Sequence, residues 1–239
     1  MIPKKNENAS KNIISTGHPE IDKKLGGGIP IGSLVLIEGQ SDAGKSVFCQ
    51  QLIWGSLNTG FKVILCTSEN TVKSLMSQME SLGLGVLDYA LLGKLKIFCM
   101  KPSQIKMYTN ATFDTIIAVA EKYSSYQLVI IDALTPIVSG SEDTKILNYF
   151  ERCKNICDQG RTIMNVTHTY ALDNDTLVRV RSACDAHLKL TIEKVGDKLV
   201  KSLEVAKIRG ASQNTGNVVA FEVEPEVGMK IMPISRAKA

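Results

Sequence analysis

The sequence predicts an α/β domain in which a mostly parallel β-sheet is covered by helices on both faces. Two observations predict this class. Short apolar runs alternate with segments of helical periodicity from residue 33 to about 167. The apolar runs also lack the apolar–polar alternation of a sheet that faces water on one side. The 239 residues, 44% hydrophobic and 22% charged, suffice for one large domain or two small ones.

The predicted elements follow one another in a regular order. The predicted strands are 33–39, 62–68, 94–100, 127–132 and 161–168. The predicted helices between them are 44–58, 71–83, 111–123 and 142–158. After residue 185 the pattern becomes β-rich, and two runs joined near Gly196 and Asp197 predict an antiparallel hairpin. Residues 217–232 predict a second hairpin.

The chain contains no internal repeat, low-complexity block or strong linker, so residues 15–239 are predicted to form a single domain. Residues 1–14 begin MIPKKNENASKN, which predicts a flexible polar arm without the apolar core of a signal peptide. The longest apolar runs have the length of strands, and no membrane span is predicted.

Net charge bears on the classes of partner, and the cysteines bear on metal binding and on the cell compartment. A net charge of +4 is too small to indicate nucleic acid or a membrane as the main partner. Of the six cysteines, Cys153 and Cys157 lie four residues apart on a predicted helix, but no second pair has the spacing of a metal site. We therefore predict buried, reduced thiols, which are typical of cytoplasmic proteins.

The octet GQSDAGKS between the first strand and the first helix matches the phosphate-loop pattern G-x-x-x-x-G-K-[ST]. Its glycines allow successive backbone N–H groups to face phosphates, and the following helix adds partial positive charge. Lys45 is predicted to reach the β- and γ-phosphates of a nucleoside triphosphate, and Ser46 to ligate Mg²⁺. The predicted binding residues here are Gly39, Gln40, Ser41, Asp42, Ala43, Gly44, Lys45, Ser46 and Val47.

Two carboxylates follow predicted strands. Asp132 ends the apolar run LVIID, where a carboxylate can hold the magnesium of a phosphate-loop site. No glutamate follows it, because residue 133 is alanine. Glu69 follows the second strand, at the sheet edge where ligands gather, and could orient an attacking water. The alternative is that Glu69 only complements the dipole of the next helix.

These residues come in the order found in the RecA/KaiC ATPase family. The lead-in STGHPEIDKKLGGGIPIG at 15–32 resembles its KaiC-like branch, and the chain from about residue 13 to 235 is similar to accessory proteins of the archaeal flagellum (archaellum). The resemblance implies a RecA-like P-loop NTPase core with a mostly parallel sheet flanked by helices and C-terminal antiparallel β-hairpins. It also implies ATP and Mg²⁺ as ligands.

The resemblance gives further residues a role. KIRG at 207–210 matches a Lys-x-Arg pair that reaches a neighbouring subunit's γ-phosphate in KaiC-like rings, which implies this role for Lys207 and Arg209. The alternative is a solvated basic stretch on an edge strand. Thr167 and His168 end a strand where RecA relatives carry a γ-phosphate sensor, although His168 fits a surface loop equally well.

The resemblance implies an ATP-binding regulatory subunit with little or no hydrolysis, because Glu69-Asn70 replaces the glutamate pair usual in hydrolytic KaiC-type domains. It implies a homo-oligomeric ring, as a hexamer, in the cytoplasm beside the membrane-bound motor. The implied partners are the archaellum motor ATPase and its membrane-platform or scaffold proteins, and nucleic acid is not expected. The alternative is an active ATPase, either a DNA-associated recombinase or an autokinase.

Overall fold

The computed structural model describes residues 12–100, 109–195, 198–212 and 218–232. The strands are β1 (Ile13–Ile14), β2 (Ile29–Pro30), β3 (Leu34–Gly39), β4 (Val63–Thr67), β5 (Leu95–Cys99), β6 (Leu128–Asp132), β7 (Thr162–His168), β8 (Ala186–Val195), β9 (Lys198–Ile208), β10 (Val218–Glu224) and β11 (Gly228–Ile231). The helices are α1 (Pro19–Lys24), α2 (Lys45–Asn58), α3 (Val72–Ser81), α4 (Leu87–Leu91), α5 (Thr109–Lys122), α6 (Thr135–Val138), α7 (Asp143–Cys157) and α8 (Asn174–Ala183).

Nine strands in the described part of the chain form one sheet in the order β11-β10-β9-β8-β3-β7-β6-β4-β5. The six strands from β8 to β5 run parallel, and β9, β10 and β11 continue the sheet with antiparallel pairing. This arrangement confirms the predicted fold class and both predicted hairpins. The predicted turn at residues 196–197 lies outside the described residues, but Val195 pairs with Lys198 on either side of it.

Strand β8 has a second role that the sequence did not predict. It forms the first hairpin with β9 and also pairs in parallel with β3, with Gly39 opposite Leu190. The hairpin is therefore joined directly to the strand that leads into the phosphate loop. A period of two residues predicts a strand but carries no information about which strand lies beside it.

The central strands separate two apolar cores. Along β3, Val35 and Ile37 contact one core, which includes the apolar side chains of α2, whereas Leu34 and Leu36 contact the other core, beneath α5, α7 and α8. All four side chains are fully buried. Burial on both faces explains why the sequence of β3 is continuously apolar up to Glu38.

The lead-in segment is folded onto the domain by the carboxylate of Asp22. This carboxylate accepts hydrogen bonds from Ser15 Oγ at 2.5 Å, from the backbone N–H of Thr16 at 2.8 Å and from Thr16 Oγ1 at 2.7 Å. Ile14 is fully buried and pairs with Ile29, so the predicted arm at 1–14 is too long by its last residues. Its first eleven residues lie outside the described part of the chain.

The cysteine prediction is confirmed in five positions and wrong in one. All six thiols are free, and five of them, including Cys153 and Cys157, are buried in the two cores, whereas Cys99 at the end of the edge strand β5 is exposed. Burial raises the pKa of Cys66 to about 12, so that thiol is protonated at neutral pH.

None of the described helices has both the length and the apolar character needed to cross a bilayer.

Candidate nucleotide-binding site

The phosphate loop connects the end of β3 to the start of α2, as its sequence predicts. Gly44 adopts φ 92° and Asp42 φ 60°, so the backbone turns through the left-handed region twice within the loop. A Cβ on Gly39 would lie 2.5 Å from the carbonyl oxygen of Leu190 on β8, which explains the need for glycine there. The loop therefore turns tightly just before the N-terminus of α2, which is where anion-binding loops lie in phosphate-binding proteins.

A cleft of about 440 Å³ opens above this loop. The side chains and backbone that line it are Ser41, Asp42, Gly44, Lys45, Ser46, Val47, Glu69, His168, Lys201 and Val223. Eight of these ten residues were predicted from the sequence. Lys201 of β9 and Val223 of β10 were missed, because only the position of the C-terminal strands beside β8 brings them to the loop.

Lys45 is held at the centre of the cleft. Its Nζ donates hydrogen bonds to the carbonyl oxygens of Gln40 at 2.6 Å and Gly39 at 3.1 Å, and lies 3.3 Å from His168 Nδ1. Burial lowers the pKa of Lys45, and the nearby carboxylates of Glu69 and Asp132 partly oppose this decrease. A buried ammonium group with carbonyl partners is well suited to bind an anionic phosphate, which forms stronger, charge-assisted hydrogen bonds.

Asp132, Ser46 and Glu69 offer a set of oxygen donors beside Lys45. Asp132 is 5% exposed, and its Oδ1 is buried without a hydrogen-bond partner in the described residues. Ser46 Oγ lies 3.3 Å from Glu69 Oε2. Burial, reinforced by the charge of Glu69, raises the pKa of Asp132 to about 7, whereas Ser46 and Lys45 oppose the increase. A buried carboxylate oxygen without a partner is what a cation would satisfy.

These donors fit Mg²⁺. Hard oxygen ligands suit this ion, which takes one or two protein ligands and completes its shell with water and phosphate oxygens. The described residues include no cluster of three or more His, Cys, Asp or Glu side chains that could hold a metal on its own. Ser46 and Asp132, the two predicted ligands, would hold the ion, which would neutralise part of the phosphate charge.

Glu69 is presented to the cleft by the loop after β4. The Thr67 hydroxyl at the end of β4 accepts hydrogen bonds from the backbone N–H groups of Glu69 at 3.2 Å and Asn70 at 3.3 Å, which fixes the start of this loop. Glu69 is exposed, and it lines the cleft together with Lys45. Its carboxylate is therefore accessible to a water molecule beside a bound phosphate.

His168 lies at the end of β7 and contacts Lys45. Its backbone N–H donates a 2.8 Å hydrogen bond to Thr135 Oγ1, and its ring stacks on Tyr170 with 5.1 Å between centroids. Burial, assisted by the charge of Lys45, lowers the pKa of His168, so the imidazole is neutral at pH 7. Thr167, its predicted companion, does not line the cleft, and its buried Oγ1 has no hydrogen-bond partner in the described residues.

Lys207 and Arg209 lie together at a second depression, of about 350 Å³. Its lining residues are Val178, Arg181, Ser182, His187, Lys207 and Arg209, none of which lines the phosphate-loop cleft. Lys207 Nζ donates to the carbonyl oxygen of Arg181 at 2.8 Å, and Arg209 Nη1 lies 3.6 Å from Asp185 Oδ1. Burial lowers the pKa of Lys207, and the charge of Arg209 adds to this effect.

A β-bulge determines where these two cations point. In the pairing of β8 with β9, His187 is opposite Lys207 whereas Leu188 is opposite Val205, so Ala206 has no partner. Leu203, Val205 and Ile208 are buried in the same core, which shows that the alternation shifts by one residue at Ala206. Without this extra residue, the side chains of Lys207 and Arg209 would point into that core.

Comparison with known proteins places this geometry in a family. The family model for KaiC-type ATPases matches residues 14–236. The chain belongs to the KaiC ATPase family. Within it, the protein is 27% identical over 230 residues to the archaeal flagellar ATP-binding protein FlaH of Sulfolobus acidocaldarius. The aligned region covers 95% of this chain and 100% of that protein.

Two solved structures resemble this KaiC-family protein. The crystal structure of the flagellar accessory protein FlaH from Methanocaldococcus jannaschii matches with a TM-score of 0.80 at 22% identity, over 93% of this chain and 99% of that one. A KaiC-like protein from Pyrococcus horikoshii matches with a TM-score of 0.75 at 20% identity, over 92% and 99%. Both likenesses confirm the RecA-like fold that the sequence predicts.

Proposed function

We propose that this KaiC-family protein is an ATP-binding regulatory subunit of the archaeal flagellar machinery. ATP with Mg²⁺ occupies the cleft above the phosphate loop, held by Lys45, Ser46 and Asp132. Occupancy controls whether copies of the chain assemble and whether a partner motor binds them. The names of the FlaH relatives support the setting, because those proteins are an archaeal flagellar ATP-binding protein and a flagellar accessory protein.

The observation that carries the proposal is the separation of Lys207 and Arg209 from the cleft of their own chain. They line a different depression. The bulge at Ala206 turns both side chains away from the core and toward that depression. Two cations on one face suit a phosphate from another copy, and such a contact makes assembly depend on the nucleotide. ATP then shifts the population toward the assembled state, because it interacts more strongly with that state.

Weak or absent hydrolysis is proposed because of the two residues at the start of the loop after β4. Glu69 is a carboxylate in the cleft with access to water, and its neighbour is the neutral Asn70. A single exposed acid offers limited assistance to an attacking water. Slow turnover is useful to a switch, since the bound state then lasts long enough for a partner to detect it.

The proposed setting is the cytoplasm, at the periphery of a membrane-bound motor. The proposed partners are the motor ATPase and the membrane-platform or scaffold proteins around it, and the proposed assembly is a ring, as a hexamer. A role on DNA is less well supported. Of the close basic pair Arg179 and Arg181, the second is paired with the buried carboxylate of Glu38 and is therefore not free to bind a phosphate backbone.

The nucleotide carried by protein purified without added ATP tests this proposal. Chromatography of the extracted nucleotide is expected to show intact triphosphate, and Lys45→Ala is expected to carry none. The same two proteins are then compared for binding to the purified motor ATPase. A variant that binds the motor as tightly as the wild type would refute ATP gating.

An active ATPase is the second candidate, and one observation favours it. Glu69 lines the same cleft as Lys45 and lies 3.3 Å from Ser46 Oγ, which supports a role in orienting a water beside a bound phosphate. Extracted diphosphate instead of triphosphate would favour this candidate. Stimulation by single-stranded DNA would identify a recombinase-type enzyme, and a phosphoryl adduct in the intact mass would identify an autokinase.

A further inference from the structure

A buried carboxylate lies directly before the phosphate loop. Glu38 is the penultimate residue of β3, is 0% exposed, and is followed by Gly39. Its Oε1 accepts a hydrogen bond from Arg181 Nη2 and lies 3.1 Å from His187 Nε2. Its Oε2 is buried without a hydrogen-bond partner in the described residues. No step proposed for the nucleotide cleft uses this group.

Arg181 connects this carboxylate to the cation pair. Its guanidinium group binds Glu38 on β3, while its backbone carbonyl oxygen accepts the 2.8 Å hydrogen bond from Lys207 Nζ on β9. The two contacts lie at opposite ends of one residue in the last turn of α8. His187 completes the cluster, because it lies near Glu38 and pairs with Lys207 across the β8–β9 ladder.

The charge of Glu38 is maintained despite its burial. Burial raises the pKa of Glu38, but hydrogen bonding to His187 and Arg181 and the positive charge of Arg181 outweigh that effect and leave the pKa below its ordinary value. An ion pair with one fully buried partner is weak evidence for a stabilising role, because a well-packed apolar pair is often as stable or more so. The directional hold on Arg181 is a property that an apolar pair lacks.

We propose that Glu38 is a positioning residue that acts through Arg181 to hold Lys207 in the orientation it presents to an adjoining copy of the chain. This inference rests on the proposed function, in which Lys207 and Arg209 contact a neighbour's phosphate. Glu38 immediately precedes Gly39, the last residue of β3 and the first of the phosphate loop. Strand β3 therefore carries the residue that positions Lys207 toward one neighbour. The same strand also leads into the phosphate loop, whose nucleotide the other neighbour would contact.

A double-mutant cycle tests this role, with assembly measured by sedimentation velocity at saturating ATP and Mg²⁺. Glu38→Gln keeps the size of the side chain and removes the charge that holds Arg181. In the wild-type background, we expect it to raise the dissociation constant of the assembly about tenfold, which corresponds to about 1.4 kcal/mol. In the Lys207→Ala background, we expect a change of less than about twofold, because the group that Glu38 positions is already absent.

Two further variants keep the test decisive if Glu38→Gln fails to fold. Arg181→Gln removes the intermediate side chain, which is 35% exposed, and is expected to give the same non-additive loss. Arg179→Gln removes the same charge from an exposed position on the same helix and is expected to change assembly less than twofold. An Arg179→Gln loss as large as that of Arg181→Gln would overturn the inference, because only the net charge would then matter.

The outcomes separate this inference from the function on which it rests. If Lys207→Ala weakens assembly but Glu38→Gln has no effect, or an equal effect in both backgrounds, the positioning role is wrong and the proposed function stands. If Lys207→Ala leaves assembly unchanged, the proposed contact between copies is wrong, and the positioning role is wrong with it. A loss confined to the background that retains Lys207 supports both.

Discussion

The ammonium nitrogen of Lys45 lies 3.3 Å from Nδ1 of His168, which connects the phosphate loop to the end of β7. Because the lowered pKa of His168 keeps its ring neutral, Nδ1 can accept a hydrogen bond from the ammonium group, and the ring does not repel the charge of Lys45. Lys45 is thereby oriented by three acceptors, two of them backbone carbonyls of its own loop. A phosphate would compete for the same protons with a full negative charge.

Replacing the lysine of the loop should remove nucleotide binding. We expect Lys45→Ala to weaken ATP binding by on the order of 100-fold, about 3 kcal/mol, because a buried charge-assisted contact is lost. Isothermal titration calorimetry with ATP and Mg²⁺ measures this. Lys73→Ala, at an exposed lysine of α3 that does not line the cleft, is the control and should bind normally. Equal affinities for the two variants would contradict the assigned site.

The raised pKa of Asp132 predicts a stability that falls as pH rises. In the folded protein this pKa is about 7 against an ordinary 3.8, so between those values the folded state binds more protons than the unfolded state. The free energy of unfolding must therefore decrease with pH across that window. In nucleotide-free protein, Asp132→Asn should be more stable than the wild type by about 2 kcal/mol or more at pH 8 and about equal at pH 4.

Urea denaturation at a series of pH values, without Mg²⁺, measures this difference. The gain should disappear as the pH falls through 7 toward 4, since the wild-type carboxyl is then already neutral. A variant less stable than the wild type at pH 8 would show that Asp132 is ionised at no cost in the folded protein.

The same substitution should remove the contribution of magnesium to ATP binding. A metal ion binds the ionised carboxylate, so its binding releases a proton and weakens as the pH falls below about 7. ATP affinity of the wild type is measured with Mg²⁺ and with excess chelator at pH 6 and pH 8. The difference should be larger at pH 8 and nearly absent in Asp132→Asn. A magnesium effect that survives in the variant would place the ion elsewhere.

Glu69 should affect turnover and not affinity. Its side chain lines the cleft but is not one of the proposed ligands of Mg²⁺ or phosphate, so Glu69→Gln should bind ATP within about twofold of the wild type. Whatever hydrolysis the wild type shows should fall by at least about 10²-fold, the usual contribution of a positioned base. Phosphate release is the measurement, and Glu80→Gln, at an exposed acid of α3, is the control. Unchanged turnover in Glu69→Gln would show that Glu69 has no role in hydrolysis and only complements the dipole of the following helix.

The lead-in motif should contribute to stability and not to chemistry. Asp22→Ala leaves three donors on Ser15 and Thr16 without their acceptor, and we expect a loss of about 2 kcal/mol in the free energy of unfolding. Glu20→Gln, at an exposed acid of the same helix, should change it by less than about 0.5 kcal/mol. If both variants were equally stable, the Asp22 contacts would not hold the lead-in to the domain.

The sequence predicts those features of the site that depend on neighbouring residues. The phosphate loop, Asp132 and Glu69 each follow a strand whose apolar run is visible, and parallel strands bring their ends to one edge. Lys201 and the pairing of Glu38 with Arg181 depend on contacts between distant residues, 143 apart for that pair. The bulge at Ala206 could not be predicted from the sequence either, because the extra residue shifts the alternation but belongs to no characteristic residue pattern.

Sedimentation velocity of the Lys207→Ala–Arg209→Ala variant beside the wild type tests the central claim most directly. Both proteins are compared with and without ATP and Mg²⁺, after calorimetry has established that each binds ATP. We expect ATP to convert the wild type to a larger species and to leave the variant in its nucleotide-free form. A variant that assembles with ATP as the wild type does, or a wild type whose assembly ignores ATP, would contradict the account.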